Sequence, residues 1–388
     1  MTGNEAFTAR VEQIAAGGAG LASVDGKKVF IDLTAPGDLV KGYIKKDHRF
    51  WAEAELLEIL KPSPQRIKPL CVHYGVCGGC SLQHINYESQ LEAKAVILTE
   101  AFERIGKVKP PEIKVKKSEP FEYRNRLQFH LSQGKSLCFK EKKSANLIAV
   151  TDCPVAEKGI RKAMREGKIP HPGGKERFTV FSKGDVFLVE GLQERGKISV
   201  LGKELTVDAS VFFQSNVAML EELLKDLITA SSSADRNLPM ADVYCGLGTF
   251  ASFLGGFFTE IDLVEENKRA IAIAKENLYL NLSIGLNELR AVNYHAVSDS
   301  EWVKRGMGNK RWGFMVLDPP RNGLSAPLRE RLAKQGPELI AYVSCDPATL
   351  ARDSGVLLDG EYEMKELIMY DFYPQTAHIE SLALFCRK

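Results

Sequence analysis

The pattern of apolar and polar positions changes most clearly near Ala241, where buried-type strands begin to alternate with helical segments. Four segments show this rhythm: "MADVYCGLGTF", "EIDLVEENKRAIAIAKENLYLN", "FMVLDPPRNGL" and "LIAYVSCDPATLARD". Apolar strands that end in Gly, Glu, Asp or Cys and alternate with helices predict an α/β fold with a parallel, doubly wound sheet. In such sheets ligands bind outside the carboxyl ends of the strands. We therefore expect a C-terminal α/β domain over residues 209–388, with its site at the strand ends.

Two other patterns precede this domain. Residues 1–62 read as short strands separated by turn signals such as Asp25-Gly26, which predicts a small β-barrel, a shape often used to bind single-stranded nucleic acid. Residues 63–208 combine a helical segment, "YESQLEAKAVILTEAFERIG", with strand-like segments such as "YRNRLQFHLS" and "FTVFSKGDVFLVEG". These segments predict a central α+β domain with an antiparallel sheet.

Composition restricts the class of protein more than its activity. The chain has 388 residues, 44% of them hydrophobic, a formal net charge of +2 and eight cysteines. It has no apolar run long enough for a membrane span, and "MTGNEAFTAR" is unlike a secretory leader, so a cytoplasmic protein is expected. There, cysteines serve as ligands, nucleophiles or core residues rather than as disulfides. Between Glu103 and Lys143, 12 Lys and Arg against 5 Asp and Glu indicate a phosphate-facing surface or a merely solvated face.

The first two strand ends of the C-terminal domain predict a nucleoside site. Gly246 and Gly248, in "DVYCGLGTF", let the backbone approach a ligand at the start of the next helix. Glu265 follows about 20 residues later in "LVEEN", where a carboxylate can bind ribose hydroxyls. Ala251 stands in place of the third glycine of a dinucleotide fingerprint, which favours S-adenosylmethionine as the ligand. Two turn glycines and a surface acid are the alternative.

Three further residues complete a reaction. Asp318 lies in the stiff turn of "LDPPRN", Cys345 ends the strand "YVSC", and Glu380 begins an apolar strand. Uracil C5 is a poor nucleophile, so its methylation needs a thiolate that adds to C6 and a base that later removes the C5 proton. The alternatives are a packing cysteine, an edge-strand acid and, for "DPPR", an amino-methyltransferase that grips an exocyclic amine. The thiol, base, acid and donor pocket fit the uracil reaction together.

Four other cysteines have a spacing typical of metal ligands. Cys71, Cys77 and Cys80 follow a C-x5-C-x2-C pattern with two glycines, and Cys153 precedes a proline, as cluster ligands often do. Four thiolates suit zinc and an iron–sulfur cluster equally well. A chance set of glycine turns is the alternative to a metal site.

Together the motifs resemble the RNA (uracil-5-)-methyltransferases that carry a TRAM domain and a [4Fe-4S] cluster. The resemblance covers essentially the whole chain and rests on eight segments in family order: "CGGCSLQHINYESQLEAK", "YRNRLQFH", "VFFQSN", "DVYCGLGTF", "VEENKRAI", "LDPPRNGL", "YVSCDPATLARD" and "YPQTAHIE". It implies a Rossmann-like class I methyltransferase domain at 209–388, a TRAM-like, RNA-binding barrel at 1–62, and a central iron–sulfur domain at 63–208.

The resemblance also implies roles for single residues. Cys345 would be the nucleophile and Glu380 the base. The cluster would be held by four thiolates: Cys71, Cys77, Cys80 and Cys153. The pocket for S-adenosyl-L-methionine would be formed or bordered by six residues: Gln214, Tyr244, Gly246, Gly248, Glu265 and Asp318. Three residues would face RNA: Arg124, Phe212 and Phe213.

Two positions depart from the family pattern. Asp346 follows the nucleophile where the family usually has Asn, and an additional acid beside a thiolate tends to raise its pKa. The family's polar contact to adenine falls near Val297, for which Asp299 or the backbone could substitute.

The leading hypothesis is an enzyme that methylates uridine C5 in structured RNA, with 23S ribosomal RNA as the expected substrate and the tRNA T-loop as the runner-up. The N-terminal barrel favours ribosomal RNA, because the bacterial tRNA enzymes of the family usually lack it. An amino-methyltransferase would need neither Cys345 nor Glu380, and a non-catalytic RNA-binding protein would not need an intact site. RNA is the expected partner, no membrane is involved, and a monomer is expected.

Overall fold

The computed structural model of the protein describes residues 6–282, 291–306 and 310–388. Its first five strands are β1 (Ala6–Ile14), β2 (Gly20–Val24), β3 (Lys27–Ile31), β4 (Leu39–Asp47) and β5 (Trp51–Lys61). They form a closed barrel in the order β1-β2-β3-β5-β4, as the strand pattern predicts. Inward-facing apolar residues, including Val11, Ala22 and Val29, fill its small core. The barrel therefore has a core of its own.

The central part of the chain combines one long helix with an antiparallel sheet. Its elements are α1 (Tyr87–Ala101), which continues into a π-helical turn (Phe102–Gly106), β6 (Ile113–Lys116), β7 (Arg126–Leu131), β8 (Leu137–Lys140), β9 (Leu147–Ala149), α2 (Lys158–Arg165), β10 (Arg177–Lys183), β11 (Val186–Val189), β12 (Arg195–Val200) and β13 (Lys203–Asp208). The sheet has the order β11-β10-β7-β8-β9, and β12 and β13 form a separate hairpin. The predicted antiparallel character is present.

The C-terminal part alternates strands and helices. Its elements are α3 (Val217–Ser231), β14 (Met240–Val243), α4 (Thr249–Leu254), β15 (Glu260–Val264), α5 (Lys268–Leu282), β16 (Ala291–His295), α6 (Asp299–Lys304), β17 (Phe314–Leu317), α7 (Ala326–Gln335), β18 (Leu339–Ser344), α8 (Pro347–Asp359), β19 (Tyr362–Tyr370) and β20 (Glu380–Arg387). The strands form a sheet in the order β16-β15-β14-β17-β18-β20-β19-β6. Five neighbouring strands, from β16 to β18, are parallel, so the predicted doubly wound α/β sheet is confirmed.

Helix α1 and strand β6 come from the predicted central domain but pack against the C-terminal sheet. β6 pairs in parallel with β19, with Ile113 opposite Leu367. Leu98 of α1 lies in the same apolar core as Leu350 of α8 and Tyr342 of β18. The chain between residues 63 and 208 thus contributes to both sheets, and the predicted domain boundaries stay predictions. In the part of the chain that the structure describes, no helix is long and apolar enough to cross a membrane.

The register of the C-terminal sheet decides which residues meet at its edge. Val243 pairs with Val264 and with Leu317, so the carboxyl ends of β14, β15 and β17 are level. Strand β20 runs antiparallel to β18, with Ser344 opposite Ser381. Extending this register by one residue past the end of β18 sets Cys345 level with Glu380. The antiparallel strand therefore brings its first residue to the edge where the parallel strands end.

Candidate active site

A cavity of about 870 Å³, which we call the active-site cavity, lies at this edge of the sheet. It is bordered by the residues that follow β14, β15, β17 and β18, by the start of β20 and by the segment before α3. The structure brings together ten of the residues singled out from the sequence: Arg124, Phe212, Phe213, Gln214, Tyr244, Gly246, Glu265, Asp318, Cys345 and Glu380. Gly248 is the predicted pocket residue that does not border this cavity.

The two glycines after β14 have different surroundings. Gly246 has φ 52°, and no atom lies within 4 Å of the place where a Cβ would stand, so it faces open space. Gly248 has φ 70°, and a Cβ there would lie 2.9 Å from Cβ of Ala274 and from Cδ1 of Leu278. Gly248 therefore permits close packing of α4 against α5, whereas Gly246 leaves room for a ligand.

Glu265 is held at the end of β15 by backbone donors. The N–H of Gly246 donates to Oε2 at 3.1 Å, and the N–H of Asn267 donates to Oε1 at 2.8 Å. These bonds fix the orientation of the carboxylate at the cavity wall. A carboxylate in this position has free lone pairs for the two hydroxyl groups of a ribose.

Tyr244 and Asp299 form a second polar group on the same side of the cavity. The Tyr244 hydroxyl donates to Oδ2 of Asp299 at 2.7 Å, and the N–H of Ser325 donates to the same oxygen at 3.1 Å. Burial and the charge of Asp299 raise the pKa of Tyr244 far above its ordinary value, so its hydroxyl remains a donor. Val297 and Asp299 both border the cavity, at the place where the sequence predicts a contact to adenine.

The segment before α3 contributes an amide and an aromatic side chain. Oε1 of Gln214 is buried and has no hydrogen-bond partner among the described residues. A buried amide oxygen without a partner is costly, so it indicates a place where a donor group of a ligand fits. Phe212 is 58% exposed, whereas Phe213 is 4% exposed and packs edge-on against Phe181. Of the two predicted aromatic residues, Phe212 is the one that RNA can reach.

Cys345, Asp318 and Glu380 form a compact acidic group. Burial raises the pKa of Cys345 to about 12, the charges of Glu380 and Asp318 add to this effect, and Arg321 opposes it. Burial also raises the pKa of Asp318 to about 7. Burial and the charge of Asp318 raise the pKa of Glu380 well above its ordinary value. A carboxyl group with a raised pKa is a stronger base once it is ionised, which suits proton abstraction.

Asp346, the departure from the family pattern, has a structural partner. Its Oδ1 accepts hydrogen bonds from the N–H of Thr349 at 2.9 Å and from the Thr349 hydroxyl at 3.2 Å. It is therefore the N-cap of α8, a position where Asp and Asn are about equally favourable. Its charge contributes to the raised pKa of Cys345, after the larger contributions of burial, Glu380 and Asp318.

Cys345 can be reached from a second side. A neighbouring cavity of about 520 Å³ is bordered by the barrel loop at Ala16 and Gly17, by residues 78–81, by the end of α1 and by the start of α8. Three residues border both cavities: Arg321, Cys345 and His378. A thiol at the junction of two cavities can be approached from both sides.

Comparisons with known proteins identify the family of the chain. A family model described as tRNA (Uracil-5-)-methyltransferase matches residues 187–388, just over half of the chain. An uncharacterized RNA methyltransferase of Treponema denticola is 33% identical, and the match covers 93% of this chain and 94% of the relative. The chain belongs to the RNA (uracil-5-)-methyltransferase family. The 23S rRNA (uracil(1939)-C(5))-methyltransferase RlmD of Aeromonas hydrophila is 30% identical over 95% of this chain and 93% of its own length.

A solved structure extends the likeness to the fold of the whole chain. The crystal structure of Pyrococcus abyssi tRNA (uracil-54, C5)-methyltransferase in complex with S-adenosyl-L-homocysteine has a TM-score of 0.73 and 22% sequence identity. The match covers 98% of this chain and 100% of that chain. As an RNA (uracil-5-)-methyltransferase, the protein is an enzyme that uses S-adenosyl-L-methionine. The free Oε1 of Gln214, the fixed carboxylate of Glu265 and the open space at Gly246 fit that donor.

Two residues that border the active-site cavity, Arg321 and Tyr373, did not emerge as predictions from the sequence, and the sequence offers a third, His378, without a role. Arg321 is the cation whose charge opposes the raised pKa of Cys345. The Tyr373 ring lies 5.9 Å from Cζ of Arg124 and meets the His378 ring edge-on at 5.7 Å. Burial lowers the pKa of His378 to about 4, so its ring is neutral at pH 7. The available signals were weak: Arg321 directly follows "DPP", and His378 stands two residues before Glu380, on the same side of an extended chain.

The four cysteines singled out as metal ligands border one separate cavity of about 760 Å³, which we call the cysteine cavity. Burial raises the pKa of Cys80 to about 11 and that of Cys153 to about 12, and it also raises the pKa of Cys77. Among the described residues, no group of three or more His, Cys, Asp and Glu side chains is arranged to hold a metal ion. The structure thus gathers the thiols around one space without forming a single-ion site. Arg124 borders both this cavity and the active-site cavity.

Proposed function

We propose that the enzyme methylates C5 of a uridine in 23S ribosomal RNA by covalent catalysis, with Cys345 as nucleophile and Glu380 as base. The observation that carries this proposal is the sheet register, which pairs Ser344 with Ser381 and so sets the thiol opposite the carboxyl group. Both face the cavity that also contains Asp318 and the residues suited to S-adenosyl-L-methionine.

The first half of the reaction makes C5 nucleophilic. The Cys345 thiol gives up its proton to solvent, and its sulfur forms a bond to C6 of the uracil ring. The electron pair of the C5–C6 double bond moves towards C5 and is shared with O4. C5 then forms a bond to the methyl group, whose bond to the donor sulfur breaks, so that S-adenosyl-L-homocysteine leaves. S-adenosyl-L-methionine supplies that group on a sulfonium, whose positive charge would also favour ionisation of the acidic group. Asp318 holds the ring from the end of β17.

The second half releases the product. The Glu380 carboxylate removes the proton from C5, the electron pair of that bond forms the C5–C6 double bond again, and the C6–S bond breaks. Cys345 leaves as a thiolate. Because Glu380 acts only after methyl transfer, Glu380→Gln should accumulate the methylated covalent adduct with ordinary uridine RNA, while turnover falls by about 10²–10⁴-fold. Normal product release by this variant, detected on denaturing gels with labelled donor, would contradict the role of Glu380.

Ribosomal RNA is supported as the substrate by the relatives that match the whole chain. The RlmD enzymes of two Aeromonas species, 30% and 29% identical, are named as 23S rRNA uracil methyltransferases. The N-terminal barrel by itself is weak evidence for ribosomal RNA over tRNA, because the structure of a tRNA (uracil-54, C5)-methyltransferase aligns with 98% of this chain. That structure and the family model favour the tRNA T-loop as the second candidate.

A direct assay separates the two substrates. Unmodified 23S ribosomal RNA and unmodified total tRNA, made without modifying enzymes, are each incubated with the enzyme and labelled S-adenosyl-L-methionine. We expect label in the ribosomal RNA, at a uridine converted to 5-methyluridine. Label in tRNA alone would replace the proposed substrate but leave the mechanism intact.

We also propose that Cys71, Cys77, Cys80 and Cys153 hold a [4Fe-4S] cluster with a structural role. The support is the donor set, four thiols around one cavity. Four thiolates suit zinc as well as a cluster, so the metal content of the purified protein decides between the two. Methyl transfer through Cys345 needs no electron transfer, so the cluster would order the RNA-binding surface between Cys80 and Cys153.

A further inference from the structure

Helix α1 has a polar face that is buried against the active-site region. Gln90 and Lys94, four residues apart and therefore on the same face, are 0% and 1% exposed. Buried polar and charged side chains are costly unless they have partners. Lys94 has its partners in the loop between β19 and β20, residues 371–379, which leads directly to Glu380. Gln90 has one partner in this loop, and its Nε2 also donates to the carbonyl oxygens of Leu82 at 3.2 Å and Ile85 at 2.8 Å.

Lys94 makes two contacts with this loop. Its Nζ lies 2.6 Å from Oδ1 of Asp371 and donates to the carbonyl oxygen of Tyr373 at 3.0 Å. Asp371 is fully buried as well, so water does not screen the pair. The contact to the Tyr373 carbonyl fixes the backbone at a residue whose side chain borders the active-site cavity.

Gln90 holds the loop two residues further along. Its Nε2 donates to Oε1 of Gln375 at 3.0 Å, and its Oε1 accepts from the N–H of Gln375 at 2.9 Å. Gln375 has φ 67°, a left-handed conformation that a non-glycine residue rarely adopts without support. The reciprocal pair supplies that support, so the turn before Glu380 depends on Gln90.

The segment after Cys80 also forms hydrogen bonds with the loop. The N–H groups of Ser81 and Leu82 donate to the carbonyl oxygen of Gln375 at 3.0 and 2.9 Å. The Ser81 hydroxyl accepts from the N–H of Ala377 at 3.0 Å. The backbone that carries Glu380 is therefore held from outside the C-terminal sheet, by α1 and by the loop in front of it.

Stability alone does not explain a buried ion pair at this place. Two charges lose their hydration on burial, and apolar side chains of similar volume often stabilise a protein as well or better. What the pair adds is a defined position for the loop. Tyr373, His378 and Glu380 border the active-site cavity, and all three lie within or directly after the loop.

We propose that Lys94 and Gln90 are positioning residues for Glu380 and act on the elimination step of the methylation. This proposal rests on the proposed function of Cys345 and Glu380. Cys345 lies between β18 and α8, outside the loop, so nucleophilic addition and methyl transfer do not require the loop contacts. Removal of the C5 proton does require these contacts, because Glu380 directly follows the loop and its position depends on the loop.

The test replaces the buried ion pair by apolar residues, Lys94→Met with Asp371→Leu. We expect this variant to fold with a Tm near that of the wild type, because the two buried charges are removed together, although the Tyr373 carbonyl oxygen loses a donor. With 5-fluorouridine RNA and methyl donor it should trap the covalent complex at a rate near that of the wild type. With uridine RNA its kcat should fall by about 10²-fold, the cost of a misplacement of about 1 Å, and the methylated adduct should accumulate.

Two further variants separate positioning from general destabilisation. Gln90→Met removes the second contact to the loop, together with the hydrogen bonds to the carbonyl oxygens of Leu82 and Ile85, and should also accumulate the adduct. Leu98→Ala removes buried apolar volume from the same helix without changing a polar contact, so it should lower Tm without accumulating adduct. Equal losses of trapping and turnover in the Lys94→Met/Asp371→Leu variant would show that the contacts have only a structural role, and would overturn the proposal. Normal turnover of this variant with uridine RNA would also overturn it.

The same experiment distinguishes this proposal from the function on which it rests. If the wild type does not trap 5-fluorouridine RNA, covalent catalysis itself is wrong. Suppose instead that the wild type traps the RNA and Glu380→Gln accumulates adduct. If the Lys94→Met/Asp371→Leu and Gln90→Met variants then behave as the wild type, only the positioning role is wrong.

Discussion

The active-site cavity and the cysteine cavity both enclose partly buried thiols, yet they surround them with opposite chemistry. In the active-site cavity a single thiol, Cys345, faces the carboxyl groups of Glu380 and Asp318, and Arg321 is the opposing cation. In the cysteine cavity the thiols face one another: the charges of Cys71 and Cys77 add to the raised pKa of Cys80, and Arg124 opposes it. Burial raises the pKa of the thiol in both places.

The difference lies in what would make each thiol ionise. A lone thiol among carboxyl groups ionises when a positive charge and a proton acceptor are present for one step of a reaction, which suits a nucleophile. Several thiols around one space repel one another as thiolates, and a permanent cation such as a metal cluster removes that repulsion. The same residue type therefore predicts transient chemistry in one cavity and a permanent ligand role in the other.

The largest expected effect comes from removing the lone thiol. Cys345→Ala should abolish methyl transfer and trapping of 5-fluorouridine RNA, while binding of the methyl donor survives, because the thiolate attacks the base and not the donor. Cys386→Ala is the matched control. Cys386 lies on β20 and pairs with Leu339 at the start of β18, whereas Cys345 follows the end of β18. Methyl transfer by purified Cys345→Ala enzyme would eliminate the covalent mechanism.

Replacing one of the four cysteines of the cysteine cavity should lower the affinity for RNA. Cys77→Ser should lose RNA affinity by about tenfold or more, about 1.4 kcal/mol, with a smaller change in donor affinity. Anaerobically purified wild type should be brown with about four irons per chain, as four thiolates around a cubane require. Colourless protein with one equivalent of zinc would overturn the cluster, and unchanged RNA binding after loss of the iron would overturn its structural role.

The half-buried carboxyl group of Asp318, near Cys345, should make stability depend on pH. The pKa of Asp318 is raised from 3.8 to about 7, so its contribution to stability is fully present below pH 3.8 and is lost as the pH rises to about 7. Asp318→Asn should therefore be more stable than the wild type at pH 8 but not at pH 4. One pKa unit is worth about 1.4 kcal/mol, and the open cavity reduces the effect, so a few kcal/mol is the upper limit. Parallel denaturant titrations at both pH values provide the measurement, and a pH-independent difference would refute this assignment.

The smallest effect is expected from the acid next to the nucleophile. Asp346→Asn removes one of the charges that raise the pKa of Cys345, while Asn caps α8 about as well as Asp. The midpoint of Cys345 alkylation against pH should shift to lower pH by less than one unit, with Tm nearly unchanged. An upward shift would show that the N-cap interaction, and not the charge, controls the thiol.

Much of the active site follows from sequence because parallel strands end at a common edge. The positions of Gly246, Glu265, Asp318 and Cys345, each just after an apolar strand, are enough to predict that they converge, and the structure places them around one cavity. The closed barrel and the doubly wound sheet follow in the same way from local periodicity and turn signals. These are properties of short segments, so one sequence is sufficient to read them.

Tertiary structure alone decided which distant segments meet. Only the antiparallel register of β20 on β18 sets Glu380 opposite Cys345, and only the packing of α1 gives the buried Gln90 and Lys94 their partners in residues 371–379. The interpretation of the basic stretch from Glu103 to Lys143 changes too, because some of its charges are paired. Lys142 and Lys143 pair with Asp32 of the barrel, and Lys117 pairs with Glu88. Burial and charge pairing depend on neighbours that are far apart in the chain, and no local pattern of apolar and polar residues encodes them.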